Sequence, residues 1–90
     1  MKCYLCRTDG AEASQEGLSF EIRCQACVRY LASAIFLARD VPKLAASGEL
    51  PRLAEVVREA NLAGLERPIL RDLMSVIWIF DKVAALPVRR

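Results

Sequence analysis

Residues 24–33 read CQACVRYLAS, a C-x2-C pair that follows the CYLC of residues 3–6 after seventeen intervening residues. What this second pair does decides how the rest of the chain is read. The period of the sequence changes at Cys27. Before it, GLSFEIRC alternates, with Leu18, Phe20 and Ile22 on one side and Ser19, Glu21 and Arg23 on the other. That is the pattern of a half-buried strand running into Cys24. After it, Tyr30, Leu31, Ala34, Ile35, Leu37 and Ala38 gather on one face of an expected helix, with Arg29, Ser33 and Arg39 opposite.

A C-x2-C pair presents two sulfurs to one metal ion from a tight turn, and two such pairs complete a four-thiolate shell. Cys3, Cys6, Cys24 and Cys27 are the four cysteines of the chain, and it has no histidine. The expected ligand is therefore one structural Zn2+ per chain. Iron, a disulfide or a redox-active thiol pair are the alternatives, and Lys2, Arg7 and Arg23 are near enough in sequence to lower a thiol pKa. Four sulfurs close the shell and leave no position for water, so the pattern argues for structure rather than hydrolysis. With no paired-carboxylate pattern either, the expectation is a protein that is not an enzyme.

Ninety residues make one domain, 1–90, in which residues 1–33 form the zinc-binding module and residues 34–90 the helical part. A chain this short buries a limited core, which a metal staple would offset. No apolar run approaches a membrane span, and no signal peptide is read at Met1-Lys2-Cys3, so the expected location is cytoplasmic. The net charge is +2, and four thiolates with one zinc dication would bring it near zero. Near-neutrality removes long-range attraction to nucleic acid. Combined with 54% apolar residues, it favours self-association or a protein partner. The richness in Arg, Ala and Leu suits a GC-rich bacterial or phage source.

Along the rest of the chain, residues 7–17 read as a polar, acidic loop. Asp40-Val41-Pro42 is expected to break the first helix and cap a short one ending at Ser47-Gly48. Pro51 opens a helix whose inner face is Leu53, Val56, Val57 and Ala60, and Gly64 ends it. Pro68 opens a last helix running to about Leu86, and LPVRR at 86–90 reads as a frayed tail with solvated arginines.

The spacing C-x2-C-x17-C-x2-C resembles that of GATA-type zinc fingers, members of the treble-clef group. CQACVRY is similar to the second knuckle of that family, C-N-A-C-G-L-Y, with Cys24, Ala26, Cys27 and Tyr30 on matching positions. The likeness covers residues 3–33. It implies a knuckle at Cys3 and Cys6, a hairpin, and a second pair that opens a helix. The Leu-Trp-Arg-Arg segment and basic tail of that family are absent here; their places hold TDGAEASQEGLSFE and SAIFLARDV. The same stretch also resembles an amino-terminal module of small bacterial zinc proteins, C-x2-C-G-x-Y-x-I-S, matching at Tyr30 and Ser33 and departing at Val28 and Ala32. That module implies a zinc-bearing scaffold with no particular activity.

The expected fold is thus mainly α with a small β-hairpin: a four-cysteine treble-clef-like zinc module followed by a short helical bundle. In the last helix Ile69, Leu70, Leu73, Val76, Ile77, Phe80, Val83 and Ala84 read as the core face. That leaves apolar residues over. Phe36, Met74, Trp78, Ile79 and Leu86 are the candidate partner contacts, with Trp78 as anchor if the other helices do not bury it. The leading expectation is a small zinc-stabilised adaptor or regulator acting by protein-protein binding, a class that includes inhibitors masking a partner's surface. The alternative is a DNA-binding transcription regulator with Arg7, Arg23, Arg29 and Arg39 on phosphates.

Overall fold

The computed structural model describes residues 1–86. The chain runs β1 (Glu12–Glu16), β2 (Ser19–Cys24), β3 (Val28–Ser33), a π-helical turn (Phe36–Asp40), α1 (Val41–Ala46), α2 (Leu50–Leu62), β4 (Ile69–Leu70) and α3 (Leu73–Ala84). The strands form one sheet in the order β1-β2-β3-β4, with β3 and β4 parallel and the other pairs antiparallel.

This overturns the mainly α expectation. The molecule is a mixed α/β fold with a four-stranded sheet. The decisive segment is VRYLAS. Cys24 pairs with Val28, Ile22 with Tyr30 and Phe20 with Ala32, so the second C-x2-C pair is the turn of the β2–β3 hairpin. A chain leaving such a turn is already alongside its neighbour and completes a ladder, which is why it does not coil. Tyr30 and Ala32 point into the core, while Val28 and Arg29 are exposed. Because the second pair leads into a strand, the treble-clef arrangement, in which it opens a helix, is not the one adopted. Helix begins at Ala34, seven residues after the last cysteine.

Two further expectations change. The polar stretch expected as loop contains β1, whose sequence EASQE has little strand preference of its own. It is drawn into the sheet by β2, across a two-residue turn in which Gly17 takes the positive φ of 62° such turns need. Asp40-Val41-Pro42 does not break the helix. The stretch 34–46 is continuous, with the Val41 N–H bonded to the Phe36 carbonyl five residues back. The wider π turn accommodates Pro42, which has no N–H and a ring that crowds the preceding turn. Asp40 makes no cap. Its buried carboxylate takes two hydrogen bonds from Arg39, at 2.9 and 3.1 Å.

The expected face of α2 is the observed one: Leu53, Val56, Val57 and Ala60 are buried, and Pro51 lies in its first turn. Gly64, at φ 77°, reverses the chain after α2, and the Leu65 N–H closes onto the Ala60 carbonyl at 3.1 Å. The last helix starts later than expected because Ile69 and Leu70 join the sheet as β4. Asp72 caps α3 through a reciprocal box: its carboxylate accepts from the Ser75 N–H at 2.9 Å, and its own N–H donates to Ser75 Oγ at 3.0 Å.

The core is one cluster that joins both halves of the sequence. Cys3, Leu5, Ile22, Cys27 and Tyr30 meet Phe36, Leu53, Val57 and Leu70 without a break. The inner face of the sheet packs under α2, and α3 packs on α2 and β4. The expected tail at 87–90 lies outside the described residues.

Candidate metal centre

The two knuckles converge because the hairpin carries one and the amino-terminal loop brings in the other. The loop is tied down by the Cys3 N–H to the Thr8 carbonyl at 3.0 Å, the Arg7 N–H to the Cys3 carbonyl at 3.1 Å, and the Ala11 N–H to the Met1 carbonyl at 2.9 Å. The four sulfurs of Cys3, Cys6, Cys24 and Cys27 then lie within 4.8 Å of one another. The close approaches are between knuckles: Cys3 to Cys27 at 3.9 Å and Cys6 to Cys24 at 3.4 Å. All four are free thiols, three buried and Cys6 half-buried.

These distances test the fit to a metal. Zinc–sulfur bonds of about 2.3 Å in a tetrahedron require sulfurs roughly 3.8 Å apart. The Cys3–Cys27 and Cys6–Cys24 pairs stand near that separation, and no pair exceeds 4.8 Å. The cluster could therefore hold a metal ion such as zinc.

Backbone N–H groups are aimed at both leading cysteines, and the surroundings favour thiolate at Cys3. The N–H groups of Leu5 and Cys6 point to Cys3 Sγ, and those of Ala26 and Cys27 to Cys24 Sγ, so the two knuckles repeat one pattern. The Cys27 N–H to Cys24 Sγ distance is 3.1 Å. Donors to a coordinated sulfur delocalise its charge and fix its direction. The Cys27 thiol, hydrogen-bonded to Cys3, is the main cause pulling Cys3 below the ordinary thiol range, and the same contact pushes Cys27 up. Burial pushes Cys24 up. One negative charge in this cluster thus opposes the next, and a bound dication is what would let all four ionise.

Four residues support the centre: Tyr30, Val28, Arg7 and Asn61, the last of which sequence reasoning missed altogether. Tyr30, expected on one face of a helix, is fully buried on β3 and places its hydroxyl 3.3 Å from Cys3 Sγ. Val28 follows the last ligand with φ 75°, and Arg7 follows the first knuckle with φ 63°. Each knuckle thus ends in a left-handed residue, a conformation that costs a β-branched side chain most. Asn61, from α2, holds the strained one. Its amide Nδ2 donates to the carbonyls of Cys27 at 3.0 Å and Arg29 at 2.8 Å, on either side of Val28, and lies 2.9 Å from the Val57 carbonyl. Nothing in the sequence pattern marks Asn61. At Val28 the signal was the absence of the knuckle glycine, whose left-handed conformation Val28 takes.

No family model, curated protein or solved structure matches the chain.

The partner-contact candidates are scattered rather than gathered. Phe36 and Ile79 are buried in the core, and Leu86 is half-buried. Met74 and Trp78 are open, at 70% and 58% exposure, and Ile77, expected as core, joins them at 53%. The buried side of α3 is Val76 and Ile79, with Phe80 and Val83 packed partly against the cluster. The core face is therefore turned from the expected one, leaving Leu73 and Ile77 outside. Trp78 is covered on one ring face by the Lys82 ammonium at 4.1 Å.

Of the four arginines considered for phosphate, Arg23 is paired with Glu21 at 3.1 Å and Arg39 with Asp40 at 2.9 Å. Arg67 spans Glu16 at 3.0 Å and Glu21 at 2.8 Å, tying the loop before β4 to the β1–β2 hairpin. These pairings hold Glu21 below its ordinary range, chiefly through the Arg67 hydrogen bond. Among the described residues no helix is long and apolar enough to cross a membrane.

Proposed function

We propose that this chain is a non-catalytic, zinc-stabilised interaction protein: one zinc ion held by Cys3, Cys6, Cys24 and Cys27 as a structural staple, and a partner protein engaged through α3. The observation that carries the interaction reading is the contiguous apolar face of Leu73, Met74, Ile77 and Trp78, which the rest of the fold leaves uncovered. A small domain that exposes a tryptophan on an apolar face carries the anchor of an interface. The zinc reading rests on the sulfur geometry and on a donor set of four thiolates, which suits zinc and excludes an open catalytic position. Regulation, including inhibition of the partner, is what such a surface does when it masks another one.

DNA binding is the weaker reading. Two of its four arginines already face carboxylates, and the β1–β2 hairpin adds Glu12 and Glu16 on its exposed side, where a phosphate backbone would be repelled.

The test is recovery of the tagged protein from the lysate of its source cells, with and without nuclease, beside a Trp78→Ala variant. A stoichiometric protein that survives nuclease and is lost with the variant is the expected result. Material that disappears on nuclease treatment or at high salt would replace this reading with DNA binding. Metal analysis of the same preparation should return one zinc per chain.

A further inference from the structure

We infer that the occupant of the α3 face is a second copy of this chain, packed antiparallel about a two-fold axis that crosses α3 near Ile77. The inference rests on the interaction reading above and names its partner.

The groove on this face, about 570 Å³, is bordered by Ile69, Arg71, Met74, Ile77, Trp78 and Asp81. Its charges are arranged as a reversed pair. Arg71-Asp72 stand at the start of α3, and Asp81-Lys82 at its far end. Arg71 and Asp81 are exposed and have no ion-pair partner among the described residues. Laid parallel, two such helices would put like charges together. Laid antiparallel, Arg71 of each copy meets Asp81 of the other, Asp72 meets Lys82, and Met74 meets Trp78. A face with an unpaired positive charge, Arg71, at one end, an unpaired negative charge, Asp81, at the other and an apolar middle is complementary to itself when laid antiparallel, which is the requirement of an isologous interface.

The size agrees. The exposed parts of Ile69, Leu73, Met74, Ile77 and Trp78 sum to on the order of 500 Å² of apolar surface, and with the charged rim reach the roughly 600–800 Å² per partner of a specific interface. A patch this large is at the upper end of what a monomer leaves open.

The test is sedimentation equilibrium of the zinc-loaded full chain from micromolar to near-millimolar concentration, with Trp78 fluorescence followed in parallel. A mass of two chains, with the Trp78 emission shifting to the blue as the dimer forms, is the expected result. Arg71→Asp and Asp81→Arg should each weaken the dimer about tenfold or more by opposing like charges, and the double variant should recover within a few-fold of the parent. Met74→Asp should give a monomer with unchanged circular dichroism. A parent that stays monomeric throughout overturns the inference, as does a dimer that the charge-swapped double variant fails to restore. A monomer that still retains a different protein through Trp78 overturns this inference and leaves the interaction reading standing. A monomer that retains nothing through Trp78 removes both.

Discussion

Val28 offers a stability test whose sign is opposite to the usual one. At an ordinary strand position glycine is worse than alanine by about 0.5–1 kcal/mol, because it loses more backbone freedom on folding. Val28 sits at φ 75°, where an L side chain costs about 1–2 kcal/mol and glycine costs nothing. Subtracting the entropic penalty of glycine leaves Val28→Gly more stable than Val28→Ala by about 1 kcal/mol. Against the parent, Val28→Gly also loses the part of the side chain that is covered, since Val28 is 40% exposed. That loss is about 1 kcal/mol, so the glycine variant should land near the parent and the alanine variant below it. The assay is urea unfolding at fixed free zinc, with Arg29→Gly and Arg29→Ala as the same-strand controls in the normal order. Alanine equal to or better than glycine at position 28 would refute the left-handed knuckle and the strain argument together.

Removing the metal with a chelator should unfold at least residues 1–38, seen as loss of circular dichroism, because the buried sulfurs then repel or must protonate; an unchanged spectrum after complete removal would refute the staple. Asn61→Ala should cost about 1–3 kcal/mol, by leaving the Cys27 and Arg29 carbonyls short of a donor, and should raise amide exchange at β3 while zinc content stays at one. Glu21 has its pKa depressed by Arg67, so its contribution to stability is present above the ordinary carboxylate range and is lost as pH falls through the lowered value. Glu21→Gln should therefore flatten the acid limb of the stability curve relative to the parent, and an unchanged limb would count against the pairing.

The four-cysteine cluster was legible because spacing alone constrains a C-x2-C doublet. The fold around them was less so, and the fault lies at one junction. Tyr30, Leu31, Ala34, Ile35, Leu37 and Ala38 fit a helical stripe across the point where strand becomes helix, since Ala34 onward is helical and Tyr30 is inward for a different reason. VRYLAS has one β-branched residue, so local preference did not speak for strand. The hairpin register, in which Cys24 pairs with Val28 across the Cys24–Cys27 turn, overrode it. β1 was invisible for a related reason: all five of its residues are exposed, so it carries no buried stripe to detect. In α3 apolar residues run more than halfway around, and which arc faces inward depended on how β4 set the entry of the helix. By contrast α2 has one clean stripe, a proline at its start and a glycine after its end, and was read correctly.

β3 and β4 are parallel, with Leu31 beside Ile69, and the intervening chain must lay down α1 and α2 before that pairing can form. The β2–β3 hairpin needs only a short turn. The order of assembly follows from loop closure: the β2–β3 hairpin is the early event, and the β3–β4 pairing arrives late because it joins strands far apart in sequence. A newly made chain would thus hold an unpaired edge on β3 until β4 docks. The interval between formation of the hairpin and closure of that edge is the moment at which this protein is most open to strand-swapped association with another copy.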